Sequence, residues 1–203
     1  MATEHVFVHG LRVTYEVNGQ GPVILLIHGW AGYRLQWRDA SKFLAGFKTI
    51  ALDLHGFGDS EESPNISAPE DYVEPVCEFI KGLNIERLIL VGHSAGGIVA
   101  ANVAIRLADK VIGLVLVEVP IGRELRSVKF PILLIFGDRN SDMGGVSRLQ
   151  VASTQLDAIN SAGLRFIENA GHSPMLENPP KFYEALHDFS EKLAHTHGSA
   201  ENA

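Results

Sequence analysis

Short apolar runs alternate with longer segments of helical pattern along most of the 203-residue sequence. The runs in the middle of the chain are almost wholly apolar, which is typical of strands that helices cover on both faces. We place strands at residues 23–27, 49–52, 87–91, 111–117, 132–136 and 164–167. Because strands that alternate with helices form parallel sheets, the sequence predicts an α/β fold with a mostly parallel central sheet and helices on both faces.

The two ends of the chain have different patterns. Residues 6–8 and 11–17 alternate around His9-Gly10, which predicts an N-terminal hairpin. Helical patterns lie at 37–45, 69–82, 95–107, 146–160 and 180–193. No internal repeat or linker-like segment divides the chain, so we expect one domain over 1–194 and a small, polar, disordered tail over 195–203.

Composition excludes several classes of partner. The net charge of −7 argues against nucleic acid and anionic membranes, which attract basic surfaces. The N-terminus has no signal-peptide pattern, and no apolar run is long enough to cross a bilayer. The single cysteine, Cys77, has no partner for an internal disulfide. We expect a cytoplasmic monomer or homodimer that binds a small molecule.

The strongest candidate for chemistry is Gly92-His93-Ser94-Ala95-Gly96, which follows an apolar run and precedes a helical pattern. This is the context of the nucleophile elbow, a tight strand-to-helix turn that exposes a serine hydroxyl. Gly92 and Gly96 leave room for the turn because neither carries a Cβ. The N-terminus of the following helix favours a developing oxyanion.

A serine needs a base, and His172 is the best candidate. It comes after the last predicted strand, and the carboxyl ends of parallel strands face one crevice, so His172 and Ser94 can meet there. The oxyanion needs two N–H donors. Ala95, directly after the nucleophile, supplies one, and Trp30, in the loop after strand 23–27, supplies the other.

Four segments together resemble the α/β-hydrolase superfamily, in its branch of esterases and epoxide-hydrolase-like enzymes. They occur in that family's order and are His28-Gly29-Trp30, Asp53-Leu54-His55-Gly56-Phe57-Gly58-Asp59-Ser60, Gly92-His93-Ser94-Ala95-Gly96-Gly97 and Gly171-His172-Ser173-Pro174. The resemblance implies a Ser-His-acid hydrolase with Ser94 as nucleophile and His172 as base. It also implies that Asp53 and Asp59 fix a structural loop near the site.

The chain departs from that family in size. Similar enzymes insert a helical cap after the strand that corresponds to 111–117, whereas only residues 118–130 intervene here before the next strand. This stretch is too short for a helical lid, so we expect a capless fold. Since a lid excludes water and shapes the pocket, its absence predicts an open site that favours small, accessible esters.

The second departure concerns the acid of the triad. The family places it in a Gly-x-x-Asp pattern after strand 132–136, but the expected position here holds Asn140. Three alternatives remain open. Asp142, two residues on, is our first candidate; Glu118, at the end of the preceding strand, holds a second acid position that the family uses; and Asn140 itself would give a weak enzyme.

The serine narrows the chemistry. Attack of Ser94 on an sp³ carbon would leave a stable alkyl ether, so the sequence favours acyl transfer to and from a carboxylic ester. Related acyl chemistry (thioester, C–C or perhydrolysis) and a weakly active binding protein are the alternatives. We expect no metal and no organic cofactor, since Gly-x-Gly-x-x-Gly is absent.

Overall fold

A computed structural model describes residues 2–119, 125, 127–139, 142–143, 146–147 and 162–198 of the chain. The strands are β1 (Ala2–Val8), β2 (Leu11–Asn18), β3 (Val23–Ile27), β4 (Lys48–Leu52), β5 (Leu88–His93), β6 (Val111–Val117), β7 (Ile132–Gly137), β8 (Asp142–Met143), β9 (Val146–Ser147) and β10 (Ala162–Ile167). Eight of these form one sheet in the order β1-β2-β4-β3-β5-β6-β7-β10.

The sheet is parallel except at one edge. β1 and β2 form an antiparallel hairpin, and β2 pairs antiparallel with β4. All the other neighbours run parallel, from β4 and β3 through to β7 and β10. The predicted α/β fold, with its mostly parallel sheet and N-terminal hairpin, is confirmed.

Helices cover both faces of this sheet. They are α1 (Ala40–Phe43), α2 (Val73–Gly82), α3 (Ala95–Arg106), α4 (Pro174–Glu177) and α5 (Pro179–Gly198), with 3-10 turns at Arg34–Trp37 and Pro69–Tyr72. None of the helices in the described part of the chain has the length and apolarity that crossing a bilayer requires.

Alternate residues of the central strands point to opposite faces. In β5, Leu88 and Leu90 belong to the core under α2 and α3, whereas Ile89 and Val91 belong to the core under α1 and α5. All four are fully buried. Burial of a leucine or isoleucine side chain contributes about 1.5–3 kcal/mol, so these strands hold the sheet and both helical layers together.

Three predicted boundaries are wrong. Residues 37–45 form a 3-10 turn and a single turn of α-helix rather than one helix. The helix predicted from 146 does not begin there, because Val146–Ser147 pairs with Asp142–Met143. The two residues between these strands are both glycine, a composition that favours two-residue hairpin loops.

The third wrong boundary lies at the C-terminal tail. Residues 195–198 continue helix α5 instead of being disordered, and Thr196 Oγ1 donates to the carbonyl of Lys192 one turn earlier. Once the buried turns of a helix have formed, each added residue extends it at little cost. Residues 199–203 lie outside the described part of the chain.

The link between β6 and β7 decides whether a cap is present. These two strands are neighbours in the sheet, and the described residues of the link contain no α-helix. Residues 120–124 and 126 of the link lie outside the described part. The absence of a cap therefore stays a prediction.

Candidate active site

Ser94 stands between β5 and α3 with φ of 51° and ψ of −123°. A non-glycine residue at positive φ costs on the order of 1–3 kcal/mol and persists only where the surroundings impose it. Here the Ser94 N–H donates to Val117 O at 2.9 Å, and the Gly97 N–H donates to Ser94 O at 2.8 Å. The turn is therefore fastened to β6 on one side and to α3 on the other.

The two glycines of the motif let helix and strand approach closely. A Cβ on Gly92 would lie 2.4 Å from the carbonyl oxygen of Gly96, and a Cβ on Gly96 would lie 2.1 Å from that of His28. Real Cβ atoms do not come this near to backbone atoms, so both positions require glycine. The spacing of the motif follows from this packing.

The loop after β3 also lies close to the turn. A Cβ on Gly29 would lie 3.1 Å from the Cβ of Ser94. The next residue, Trp30, donates its N–H to no residue that the structure describes, and Ala31 follows it at φ of 59°. Ala95 is the first residue of α3, where a backbone N–H has no acceptor within the helix. Both predicted oxyanion donors are thus available to a ligand.

His172 lies in the loop between β10 and α4, and its side chain is 55% exposed. Its Nδ1 is 3.8 Å from Oε2 of Glu118, a residue that directly follows β6 at φ of 56°. The Glu118 side chain is fully buried, and its Oε1 accepts the N–H of Gly137 at 2.6 Å. A separation of 3.8 Å is longer than a hydrogen bond, but such contacts often shorten only when substrate binds.

The other candidate acids lie outside what the structure describes. Asn140 is not described, and only the backbone of Asp142 is, as part of β8. Asp138, the first acid of the same loop, accepts the N–H of Ala170 at 3.3 Å through Oδ1. Among the three candidates, Glu118 alone has a described side chain, and it is near His172.

His93 connects three parts of the site. Its Nε2 lies 2.6 Å from the carbonyl oxygen of His172, and its Nδ1 lies 2.9 Å from Nε2 of Gln36, in the loop after β3. With the proton assigned to Nε2, the ring donates to His172 and accepts from Gln36. Burial lowers the pKa of His93 to about 4, which keeps the ring neutral at neutral pH. Sequence gave no signal for this contact, because the partners are 57 and 79 residues away.

His28 is a second buried, neutral histidine. Its Nε2 accepts the N–H of Leu54 at 3.0 Å, so its Nδ1 carries the proton and donates to Gly29 O at 2.8 Å. Burial lowers the pKa of His28, in agreement with this tautomer. The residue joins the loop after β3 to the loop after β4.

Asp53 fastens the same two loops through charge. Fully buried, it accepts the N–H of Arg34 at 2.6 Å, the Arg34 guanidinium at 2.5 Å and the N–H of Asp59 at 2.9 Å. The Asp59 carboxylate also contacts Arg34, at 2.7 Å. These contacts accord with the loop-fixing role that the resemblance implies for both aspartates, and they add Arg34, which the sequence did not single out.

Ser94 and His172 open onto one cavity of about 310 Å³. Its lining consists of Trp30, Ala31, Gly32, Tyr33, Leu35, Gln36, Arg38, His93, Ser94, His172, Ser173 and Leu176. A larger cavity, of about 480 Å³, lies between α3 and the link that precedes β7, away from the nucleophile. Across the described residues, no group of three or more His, Cys, Asp or Glu side chains is placed to hold a metal ion.

Comparison with known proteins gives a family match. The alpha/beta hydrolase fold family matches residues 22–130, which is more than half of the chain. An uncharacterized protein of Mycobacterium tuberculosis is 30% identical over 188 residues, which are 92% of this chain and 54% of the relative. Epoxide hydrolase 3 of Xenopus tropicalis is 34% identical over 119 residues, 55% of this chain and 32% of the relative. The chain thus spans about half or less of the length of these curated relatives.

Among solved structures, a thermophilic esterase from Thermogutta terrifontis superposes with a TM-score of 0.83. The superposition covers 96% of this chain and all of the esterase at 18% identity. At this level of identity the similarity concerns the fold.

Proposed function

The chain belongs to the α/β-hydrolase fold family, and on this basis we propose that it hydrolyses carboxylic esters through an acyl-enzyme on Ser94. The observation that carries the proposal is the strained turn of Ser94, which presents its side chain to the cavity that His172 also lines. A positive φ at a serine between a buried strand and a helix N-terminus is costly, and such strain concentrates at functional sites.

Each step then has a residue to perform it. His172 takes the proton of the Ser94 hydroxyl as its Oγ attacks the ester carbonyl, and the N–H groups of Trp30 and Ala95 bind the oxyanion. The tetrahedral intermediate collapses, the alcohol leaves with the proton from His172, and the acyl group stays on Ser94. Water, activated by His172, then releases the carboxylic acid and restores the serine.

We propose Glu118 as the acid that orients His172. A carboxylate in this role holds the imidazole in one tautomer and stabilises the imidazolium that forms during attack. The distance of 3.8 Å to Nδ1 and the complete burial of Glu118 support the assignment. The hydrogen bond from Gly137 fixes the other oxygen of the carboxylate. Asp142 and Asn140 stay as the alternatives, to be separated by substitution.

Small, accessible esters remain the proposed substrates, and the chain hydrolyses them without a macromolecular partner or a cofactor. The relative named as an epoxide hydrolase raises epoxide opening as a second candidate. A serine nucleophile speaks against it, since the alkyl ether formed on Ser94 would not hydrolyse. Related acyl chemistry, such as thioester hydrolysis, would use the same residues and stays an alternative to ester hydrolysis.

The test is turnover of short p-nitrophenyl esters together with labelling by a fluorophosphonate probe. We expect Ser94→Ala to abolish both, and His172→Ala to lower kcat by a factor of about 10³ or more. Ser41→Ala, a change of an exposed serine on α1, serves as the matched control and should leave both unchanged. If the unmodified protein hydrolyses no ester faster than Ser94→Ala, the enzyme proposal is wrong and a binding function takes its place.

A further inference from the structure

The cavity at Ser94 has an uneven distribution of charge. None of its described lining residues is an aspartate or glutamate. His93 is neutral at neutral pH because burial lowers its pKa to about 4. Arg38 is therefore the one permanently charged side chain among the described residues that line the cavity.

Arg38 also differs from its neighbour in the same loop. The Arg34 guanidinium forms ion pairs with Asp53 and Asp59, and the Arg34 side chain is only 12% exposed. The side chain of Arg38 is exposed and makes no hydrogen bond or ion pair with any residue that the structure describes. The adjacent Asp39 binds Lys42 at 2.5 Å instead. The Arg38 guanidinium is thus free to bind an anion, which its planar fork of N–H donors suits.

The same cavity also has apolar side chains in its lining. Four of the seven exposed large hydrophobic side chains in the described part of the chain line it. They are Trp30, Tyr33, Leu35 and Leu176. Apolar surface that is concentrated beside one cation fits a ligand with both an apolar and an anionic part.

We propose that the substrate is an anionic ester. A carboxylate or similar group away from the scissile carbonyl binds Arg38, while the apolar part of the ester contacts the four exposed apolar side chains. This inference rests on the proposed ester hydrolysis at Ser94. The net charge of −7 repels anions at a distance, but that repulsion is screened beyond about 10 Å in 0.1 M salt, whereas the contact with Arg38 is local. Arg38 acts as a specificity-determining residue and takes no part in bond making.

Two matched ester pairs test the proposal. In the first, mono-p-nitrophenyl glutarate is compared with p-nitrophenyl 5-methylhexanoate, in which an isopropyl group replaces the carboxylate. In the second, 4-acetoxybenzoate is compared with its methyl ester, so that the charge lies on the alcohol side. We expect kcat/KM for the anionic member of at least one pair to fall about tenfold in Arg38→Gln, mainly through KM, with the neutral member unchanged.

The control is Arg165→Gln, which removes the same charge from an exposed residue of β10 that does not line the cavity. It should leave both pairs unchanged, and Arg38→Lys should retain part of the preference. Equal effects of Arg38→Gln on charged and neutral esters in both pairs would overturn the inference while ester hydrolysis stands. If no ester is turned over, binding of the same anionic esters to Ser94→Ala by calorimetry decides: loss of binding in the Arg38→Gln double variant supports anion recognition, and no change overturns it.

Discussion

At the scale of single residues, the carboxylate of Glu118 has the most direct consequence for rate. We expect Glu118→Gln to lower kcat by about 10³–10⁴-fold, because an amide cannot stabilise the imidazolium of His172 by charge. The amide oxygen can still accept the N–H of Gly137, so the free energy of unfolding should change little. Steady-state kinetics together with urea unfolding of the same variant separate the two effects.

The competing acids supply the comparison for this experiment. Asp142→Asn and Asn140→Ala should each lower kcat less than Glu118→Gln does. A larger loss in Asp142→Asn would reject Glu118 and restore the assignment that the sequence favours. The sequence ranked Asp142 first but contains no distances, and the distance from His172 to each position depends on where β6 and β7 end relative to β10.

His93 links a single titration to stability. Its folded-state pKa of about 4 lies below the ordinary 6.5, so between these values the unfolded chain binds a proton that the folded chain does not. The stability that neutral His93 contributes is therefore fully present above pH 6.5 and is lost as the pH falls toward 4. The loss amounts to about 3 kcal/mol over the window.

Urea unfolding measured at intervals from pH 7 to pH 4 checks this expectation. In His93→Gln the decline of stability with acid should be shallower, by up to about 1.4 kcal/mol per pH unit. His5→Gln, a change of an exposed histidine on β1, should keep the slope of the unmodified protein. An identical slope in His93→Gln would mean that His93 does not titrate as a buried neutral group.

At the scale of elements, the loops after β3 and β4 are held together by Arg34 and two aspartates of unequal burial. Asp53 is fully buried, whereas the side chain of Asp59 is 67% exposed. Removing one partner of a buried ion pair leaves an uncompensated charge, which costs about 3–5 kcal/mol. An exposed pair contributes only about 0–1 kcal/mol.

We therefore expect Asp53→Asn to lower the free energy of unfolding by about 3 kcal/mol or more, and Asp59→Asn to lower it by less than about 1 kcal/mol. Because Trp30 precedes Arg34 in the same loop, Asp53→Asn should also raise the barrier to acyl transfer. Chemical denaturation and kcat of both variants test this. Comparable losses in the two variants would show that the loop is held by something other than Asp53.

The elements themselves were largely predictable, and their ends were not. Alternation of apolar and helical segments predicted the parallel sheet, since local periodicity reports which residues face the core. The short α1 and the extended α5 were mispredicted, because a helix end depends on packing and capping that a periodic pattern does not contain. The same limit applies to Arg34, whose partners lie on another strand's loop.

At the scale of the whole molecule, parallel strand order explains why residues far apart in sequence lie close together at the site. Ser94, Glu118 and His172 follow β5, β6 and β10. These three strands run parallel, so their carboxyl ends lie at the same end of the sheet. Sequence alone predicted the meeting of Ser94 and His172 from this rule. The sequence could not predict that His93 connects Gln36 and His172, or that the Arg38 side chain has no partner among the described residues. Both depend on side-chain geometry at the carboxyl ends of the strands.

The whole domain also has a testable C-terminal boundary in α5. Leu193 is the last buried residue of this helix up to Thr196, where the description of its side chains ends, and its Cδ1 lies 2.3 Å from where a Cβ on Gly113 of β6 would be. Helix α5 therefore packs on the sheet through Leu193, while His195 and Thr196 are exposed.

We expect a chain that stops after Ala194 to keep its free energy of unfolding within about 1 kcal/mol. A chain that stops after Lys192 should lose about 2–5 kcal/mol, since it lacks the buried leucine. Urea unfolding of both truncated chains decides, and a large loss in the longer one would place residues 195–203 inside the folded unit.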